Sequence, residues 1–187
     1  MPSKMTTKPV PVQLLEDNRL IVWDHRRGNE LYEDGFYGKP LGIAKPREEF
    51  TQPLVLDAVE GLYLLQRKKV TVNDIKGKKI AFKNLMERLS REIEGFEAKY
   101  AVYRELRDRG YIVAPGIKYG CDFAVYEQGP GLDHAPYVMQ VHKPEEPLDA
   151  AEIVKSGRLA ATVRKSFIKA VEIEGALRFL EFNWWRA

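Results

Sequence analysis

The spacing of apolar positions divides the chain into stretches of different period. Over 13–23, QLLEDNRLIVW sets two short apolar runs on either side of Glu16-Asp17-Asn18, which predicts a β-hairpin turning at those three residues. Residues 1–13 predict a disordered or loosely attached lead-in. Residues 24–52 mix charge with Gly, Pro and Tyr, contain GFYGKPLG, and predict short strands and loops. Within them AKPREEFTQP (44–53) reads as a polar loop with Lys45, Arg47 and two prolines.

From Val55 to Lys68 the period becomes helical. Leu56, Val59, Leu62, Tyr63 and Leu65 fit one amphipathic face. Residues 72–78 predict a connector, and Ile80–Leu89 a second helix. Glu94-Gly95 interrupts the pattern. A third helix follows over Phe96–Arg109, with Phe96, Tyr100, Tyr103 and Leu106 on one face. Gly110 stops it, and Arg107 and Arg109 in its last turn suit the helix dipole.

After Gly110 the period falls to two. Strands are predicted over 111–114, 121–126 and 137–142, with EQGPGLD (127–133) as a loop. Asp149-Ala-Ala-Glu152 resembles a capping box and opens a helix to about Val163. Strands over 166–173 and 177–186 turn at Glu174-Gly175. The interruption near 88–95 marks a domain boundary, dividing the chain into 1–90 and 91–187. The expected class is α/β (α+β), with two small domains.

Composition narrows the class. A chain of 187 residues that is 44% hydrophobic and 30% charged can bury one large core or two small ones. No run approaches the ~20 apolar residues of a membrane span, and no signal-peptide core is visible, so a cytoplasmic location is expected. The single cysteine, Cys121, excludes an intrachain disulfide and any multi-cysteine zinc site. A net charge of +3 means that any phosphate-binding surface must come from local clustering.

The candidate chemistry lies in Gly116–Lys165, where a tyrosine (Tyr126), a histidine (His134) and a lysine (Lys165) occur in a strand–turn–strand–helix context. Tyr126 closes a strand, His134 follows a Gly-Pro-Gly loop, and Lys165 sits where helix gives way to strand. A loop returning between paired strands can bring these groups to one end of a sheet. Cleavage of RNA by its own 2′-hydroxyl needs a base, an acid and positive charge on the phosphorane. Imidazole suits the acid, because its pKa of about 6.5 leaves protonated population near neutrality. A lysine near a tyrosine would lower the phenol's pKa and stabilise the transition state. No metal or other cofactor is required. Taken singly, each residue has an ordinary alternative: a strand-end aromatic, a loop histidine, a surface cation. His25 and His142 carry no chemistry beyond an ordinary surface or strand histidine, and His142 and His134 have no metal-ligand spacing that one cysteine could complete.

Several segments together resemble the archaeal tRNA-splicing endonuclease family. They are NELYEDGFYGKPLG, LDAVEGLYLLQRKKV, GIKYGCDFAVY, PGLDHAPYVMQV and GRLAATVRK, spread from about Asn18 to the end. The resemblance implies a small N-terminal mixed α/β domain followed by a nuclease-like α/β catalytic domain with a central mixed sheet. It implies cleavage of precursor tRNA at bulge–helix–bulge elements, leaving a 2′,3′-cyclic phosphate and a 5′-hydroxyl. On this resemblance the general base falls on Tyr126, with Tyr119 as its rival, the acid on His134 and the charge-stabilising lysine on Lys165. The family's two base-gripping arginines fall on Arg158 and, more loosely, Arg178.

Two features resemble the crenarchaeal type. The 44–53 loop looks like a basic insertion that approaches RNA, with Lys45 as its most promising cation; a solvated Pro-rich loop explains it equally. The turn in EIEGALR has only Glu172 and Glu174, so a separate non-catalytic subunit is expected to supply the acidic docking turn in a two-plus-two heterotetramer. Leu180, Phe182 and Trp184 share one face of the final strand, flanked by Arg178 and Arg186, which suits pairing with a partner's strand or packing within its own sheet. Two other readings remain. One is a non-catalytic subunit of such a complex. The other is a metal-dependent nuclease built on Asp122 and QVHK, in which Gln140 stands where a second carboxylate is needed.

Overall fold

The hairpin forms at QLLEDNRLIVW. In the computed structural model, which describes residues 8–132, 134–143 and 149–182, β1 (Val10–Leu14) pairs antiparallel with β2 (Leu20–Val22), Gln13 opposite Ile21. Asn18 sits at φ 65° in the turn, a conformation asparagine tolerates better than most residues. β1 begins inside the expected lead-in, so that expectation is corrected for 10–13; residues 1–7 lie outside the described residues.

A helix stands where only strands and loops were expected. α1 (His25–Gly35) is started by Asp24, whose carboxylate accepts from the N–H groups of Arg26 and Arg27 at 3.0 and 3.3 Å. Its sequence is mostly charged, and Leu31 is its buried apolar anchor. Gly28 is a packing site here: a Cβ would lie 3.1 Å from that of Leu54.

After β3 (Lys39–Pro40) comes β4 (Leu54–Leu56), so Leu56 belongs to a strand and not to the helix expected from Val55. The helix, α2 (Ala58–Gln66), starts after Asp57, which caps Val59 N–H at 3.1 Å. Glu60 completes the box. One of its oxygens accepts from Asp57 N–H at 2.9 Å and the other from Gly38 N–H at 3.2 Å, all in a buried setting. The expected connector over 72–78 is in part β5 (Val70–Asn73), which pairs parallel with β1. β6 (Lys79–Ile80) and α3 (Phe82–Glu92) follow. The first sheet runs β3-β4-β2-β1-β5-β6.

Two compact units divide after Tyr100, within α4 (Phe96–Asp108). The second unit contains β7 (Ile112–Pro115), β8 (Phe123–Tyr126), β9 (Tyr137–His142), α5 (Ala150–Val163), β10 (Ser166–Ile173) and β11 (Ala176–Phe182). The sheet order is β11-β10-β9-β8-β7, with β9 and β10 parallel and the other pairs antiparallel. On one face the Tyr103 ring of α4 meets Phe123 at 6.0 Å, and Arg109 lies over Phe179 at 5.5 Å. On the other, α5 is tied down by Glu152, which accepts from the ammonium of Lys169, itself 1% exposed. Glu174 and Gly175, at φ 53° and 75°, make the expected turn into β11. Trp184 and Arg186 lie outside the described residues. The architecture is the expected mixed α/β one, with two mixed sheets. No described helix is long and apolar enough to cross a membrane.

Glu60→Ala strands two N–H groups, at Gly38 and Asp57, and is expected to destabilise the first unit by about 2–3 kcal/mol. Glu60→Gln keeps one acceptor and should cost less. Denaturant unfolding followed by circular dichroism compares the two.

Candidate active site

Strand register brings three loop-proximal positions to one edge of the second sheet. Val125 lies opposite Tyr137, and Tyr137 lies beside Ser166. One step toward the edge, Tyr126, Pro136 and Lys165 therefore fall in one row across β8, β9 and β10. Ser166 N–H, donating to Pro136 carbonyl at 2.9 Å, closes this row. Alternation puts Tyr126 and Lys165 on the face that also carries Ala124, Val138 and Phe167, all buried. Two strand spacings separate the ends of the row, about 10 Å between the Cα atoms of Tyr126 and Lys165. Phenol and ammonium can both reach a group held between them.

His134 lies two residues before Pro136 in the loop between β8 and β9, and it is exposed. Lys165 donates to the carbonyl of Ala135, the residue after His134, so its ammonium sits at the peptide that joins Ala135 to Pro136. Its Nζ also lies 5.3 Å from the centre of the Tyr119 ring. The expected trio thus gathers at one edge, and Tyr119 joins it.

Tyr119 gets there by a tight turn. Gly116 N–H donates to Asp122 carbonyl at 2.8 Å, and a Cβ on Gly116 would lie 2.6 Å from Cys121 Sγ and 2.8 Å from Phe123 N. A 3-10 turn over Ile117–Tyr119 then ends at Gly120, φ 67°. The turn lays Tyr119 and Cys121 against Val138 and Phe167, with Phe182 alongside. No periodic signal announces this contact, because turn residues carry none; the glycines at 116 and 120 are its trace in the sequence.

Other titratable groups nearby are poorly suited to the chemistry. Burial pushes the Cys121 thiol up, with the Asp122 charge adding to it, so the nucleophilic thiolate is disfavoured. Tyr137 is a further phenol at this edge, on the opposite face from Tyr126. Burial raises its pKa first, and the neighbouring Glu127, Tyr111 and Glu181 raise it further. Asp122 has a structural use: its carboxylate accepts from Val141 N–H at 2.8 Å, and its own N–H donates to Met139 carbonyl at 3.0 Å. Among the described residues no group of three His, Cys, Asp or Glu side chains is placed to hold a metal ion.

The remaining expected residues lie outside this row. Arg158 is exposed on α5, six residues before its C-terminal neighbour Arg164. Arg178 is exposed on β11 opposite Val171, six positions along β10 from Lys165, or about 20 Å. Lys45 belongs to the first unit, exposed on the 44–53 loop. Asn29 anchors that loop, donating to Phe50 carbonyl at 2.8 Å and accepting from Phe50 N–H at 3.1 Å.

Comparisons with known proteins follow the same division. The description "tRNA intron endonuclease, N-terminal domain" matches residues 13–86, and "tRNA intron endonuclease, catalytic C-terminal domain" matches residues 96–179. The fold and its second unit are thus those of a two-domain endonuclease. A protein named tRNA-splicing endonuclease from Hyperthermus butylicus is 47% identical over 169 residues, covering 89% of this chain and 93% of its own length. Proteins of that name from Saccharolobus solfataricus and Saccharolobus islandicus are 38% and 35% identical over 176 and 175 residues, each covering 91% of this chain and 96% of their own. The chain belongs to the tRNA intron endonuclease family.

Asp122→Asn keeps an oxygen for Val141 N–H and is expected to leave endonuclease activity within a few-fold. Asp122→Ala should lose about 1–2 kcal/mol of stability. An activity loss of several orders of magnitude in Asp122→Asn, with the melting curve unchanged, would reassign the carboxylate to the chemistry.

Proposed function

We propose that this chain is the catalytic subunit of a tRNA-splicing endonuclease that cuts precursor tRNA at bulge–helix–bulge intron junctions by metal-independent acid–base catalysis. Tyr126 takes the proton from the ribose 2′-hydroxyl. The 2′-oxygen attacks the adjacent phosphorus, and the bond from phosphorus to the 5′-oxygen breaks. His134 gives a proton to that departing oxygen, leaving a 2′,3′-cyclic phosphate and a 5′-hydroxyl. Lys165 stabilises the charge on the phosphorane.

The observation that carries this reading is the row Tyr126–Pro136–Lys165 at one sheet edge, with Lys165 bonded beside His134. Tyr126, His134 and Lys165 come from three separate segments, and their nearness at one end of the sheet supports reading them as base, acid and cation. The family membership and the names of the relatives support the substrate. Arg158 and Arg178 are the proposed grips on a bulged base, since a guanidinium stacks on a base face and binds phosphate. The distance of Arg178 from Lys165 along β10 means that a grip using it draws on a second chain. Lys45 is the proposed contact of the 44–53 loop with RNA. Work on precursor tRNA implies a cytoplasmic setting.

His134→Ala and Lys165→Ala are each expected to lower kcat by about 10²- to 10⁴-fold, while wild-type cleavage persists in EDTA with cyclic-phosphate ends. A strict magnesium requirement, or unchanged cleavage by both variants, would overturn the assignment.

β11 supports the proposed assembly. It is the outermost strand of its sheet, and Leu180 and Ile173 are exposed there and on its neighbour. The turn before it carries Glu172 and Glu174 as its only acidic residues. A non-catalytic subunit with a more acidic turn fits this edge, giving a two-plus-two heterotetramer. Light scattering behind size exclusion should show the purified chain below tetramer mass and weakly active; an active tetramer of this chain alone overturns the heteromeric reading.

A further inference from the structure

Tyr119 has no part in the acid–base scheme, yet it touches the cation that scheme needs. Lys165 Nζ stands 5.3 Å from the centre of its ring while donating to Ala135 carbonyl. The ring is held from behind by its packing on Val138 and Phe167. It is held from below by its turn, where Tyr119 N–H donates to Gly116 carbonyl at 2.8 Å and Gly120 N–H to Ile117 carbonyl at 3.0 Å. Lys118 Nζ also lies 5.9 Å from the same ring.

A lysine is a compact charge on a flexible stem, and fixing it costs rotamer entropy. A carboxylate fixes an ammonium by cancelling its charge. An aromatic face fixes it through the ring quadrupole and leaves the net charge whole. A phosphorane-stabilising lysine requires the second kind of restraint.

We propose that Tyr119 is a positioning residue whose ring face, with the Ala135 carbonyl, holds the Lys165 ammonium at the sheet edge beside His134 before substrate arrives. The proposal rests on the reading of Lys165 as the charge that stabilises the transition state. It gives the ring, and not the hydroxyl, the useful part, so Tyr119 need not compete with Tyr126 as a base.

The test is single-turnover cleavage of a bulge–helix–bulge RNA by the full chain in its active assembly. Tyr119→Phe is expected to keep kcat within about 2-fold. Tyr119→Leu should lower kcat by about 2- to 30-fold, the range of a cation–π contact, with KM little changed. Placed on Lys165→Ala, Tyr119→Leu should cost nothing more, because the two act as one unit. A graded series of fluorinated phenylalanines at 119 preserves shape while draining the ring face, and kcat should fall along it even if Tyr119→Leu folds poorly. A flat fluorination series, equal losses for Tyr119→Leu in both backgrounds, or a Tyr119→Phe as impaired as Tyr119→Leu overturns the positioning role. Unchanged cleavage by Lys165→Ala instead overturns the underlying role of Lys165, a distinguishable failure.

Discussion

The parallel pairing of β9 with β10 is the constraint on which the second unit depends. Parallel neighbours cannot be joined by a tight turn, so the chain must cross over, and α5 is that crossover. The register Tyr137 beside Ser166 then decides which residues meet at the edge. A slip of one residue would send Lys165 to the other face of the sheet, with Phe167 taken out of the core. Burial of Phe167, Ala170 and Val138 therefore fixes the position of Lys165, and the core sets the site without contributing an atom to the chemistry.

Legibility in the sequence followed the strength of the local pattern. The strands at 137–142 and 166–173 match the reading residue for residue: both are rich in β-branched and aromatic residues, Pro136 precedes the first and Glu174-Gly175 follows the second. α1 was hidden because one leucine and two glycines make a poor amphipathic stripe; its start is written in the Asp24 cap instead. β4 was absorbed into a helix because Leu56 happens to fall in phase with Val59 and Tyr63, and the capping box at Asp57 was the overlooked stop. β5 is short and follows a run of basic residues, and its parallel partner lies far away in sequence. Tyr126 and Lys165 drew notice because each sits at an element boundary, and His134 because it follows the Gly-Pro-Gly loop. Tyr119 drew notice as a rival phenol, while its contact with Lys165 arises from a folded turn that no periodicity encodes.

Both units use buried polar groups to fix backbone that apolar packing alone would leave loose. Glu60 ties the start of α2 to the strand entrance at Gly38. Asp122 joins β8 to β9 where the ladder gives out, just before the turn that carries Tyr119 is closed. Glu60 takes two N–H groups and Asp122 one, each at least partly withdrawn from water. Such bonds are directional, as hydrophobic contacts are not.

The ion pair of Lys169 with Glu152 has a consequence for how the protein responds to its medium. Mobile ions weaken attractions between solvated charges over a Debye length of about 8 Å at physiological ionic strength, and reach buried pairs far less. Lys169 is sealed from water, whereas Arg158, Arg178 and Lys45 are open to it. On the RNA contacts proposed above, concentrated electrolyte should loosen a polyanion from these outer cations while α5 stays clamped to the sheet. Releasing RNA and dismantling the fold would then be separate operations, controlled by different variables.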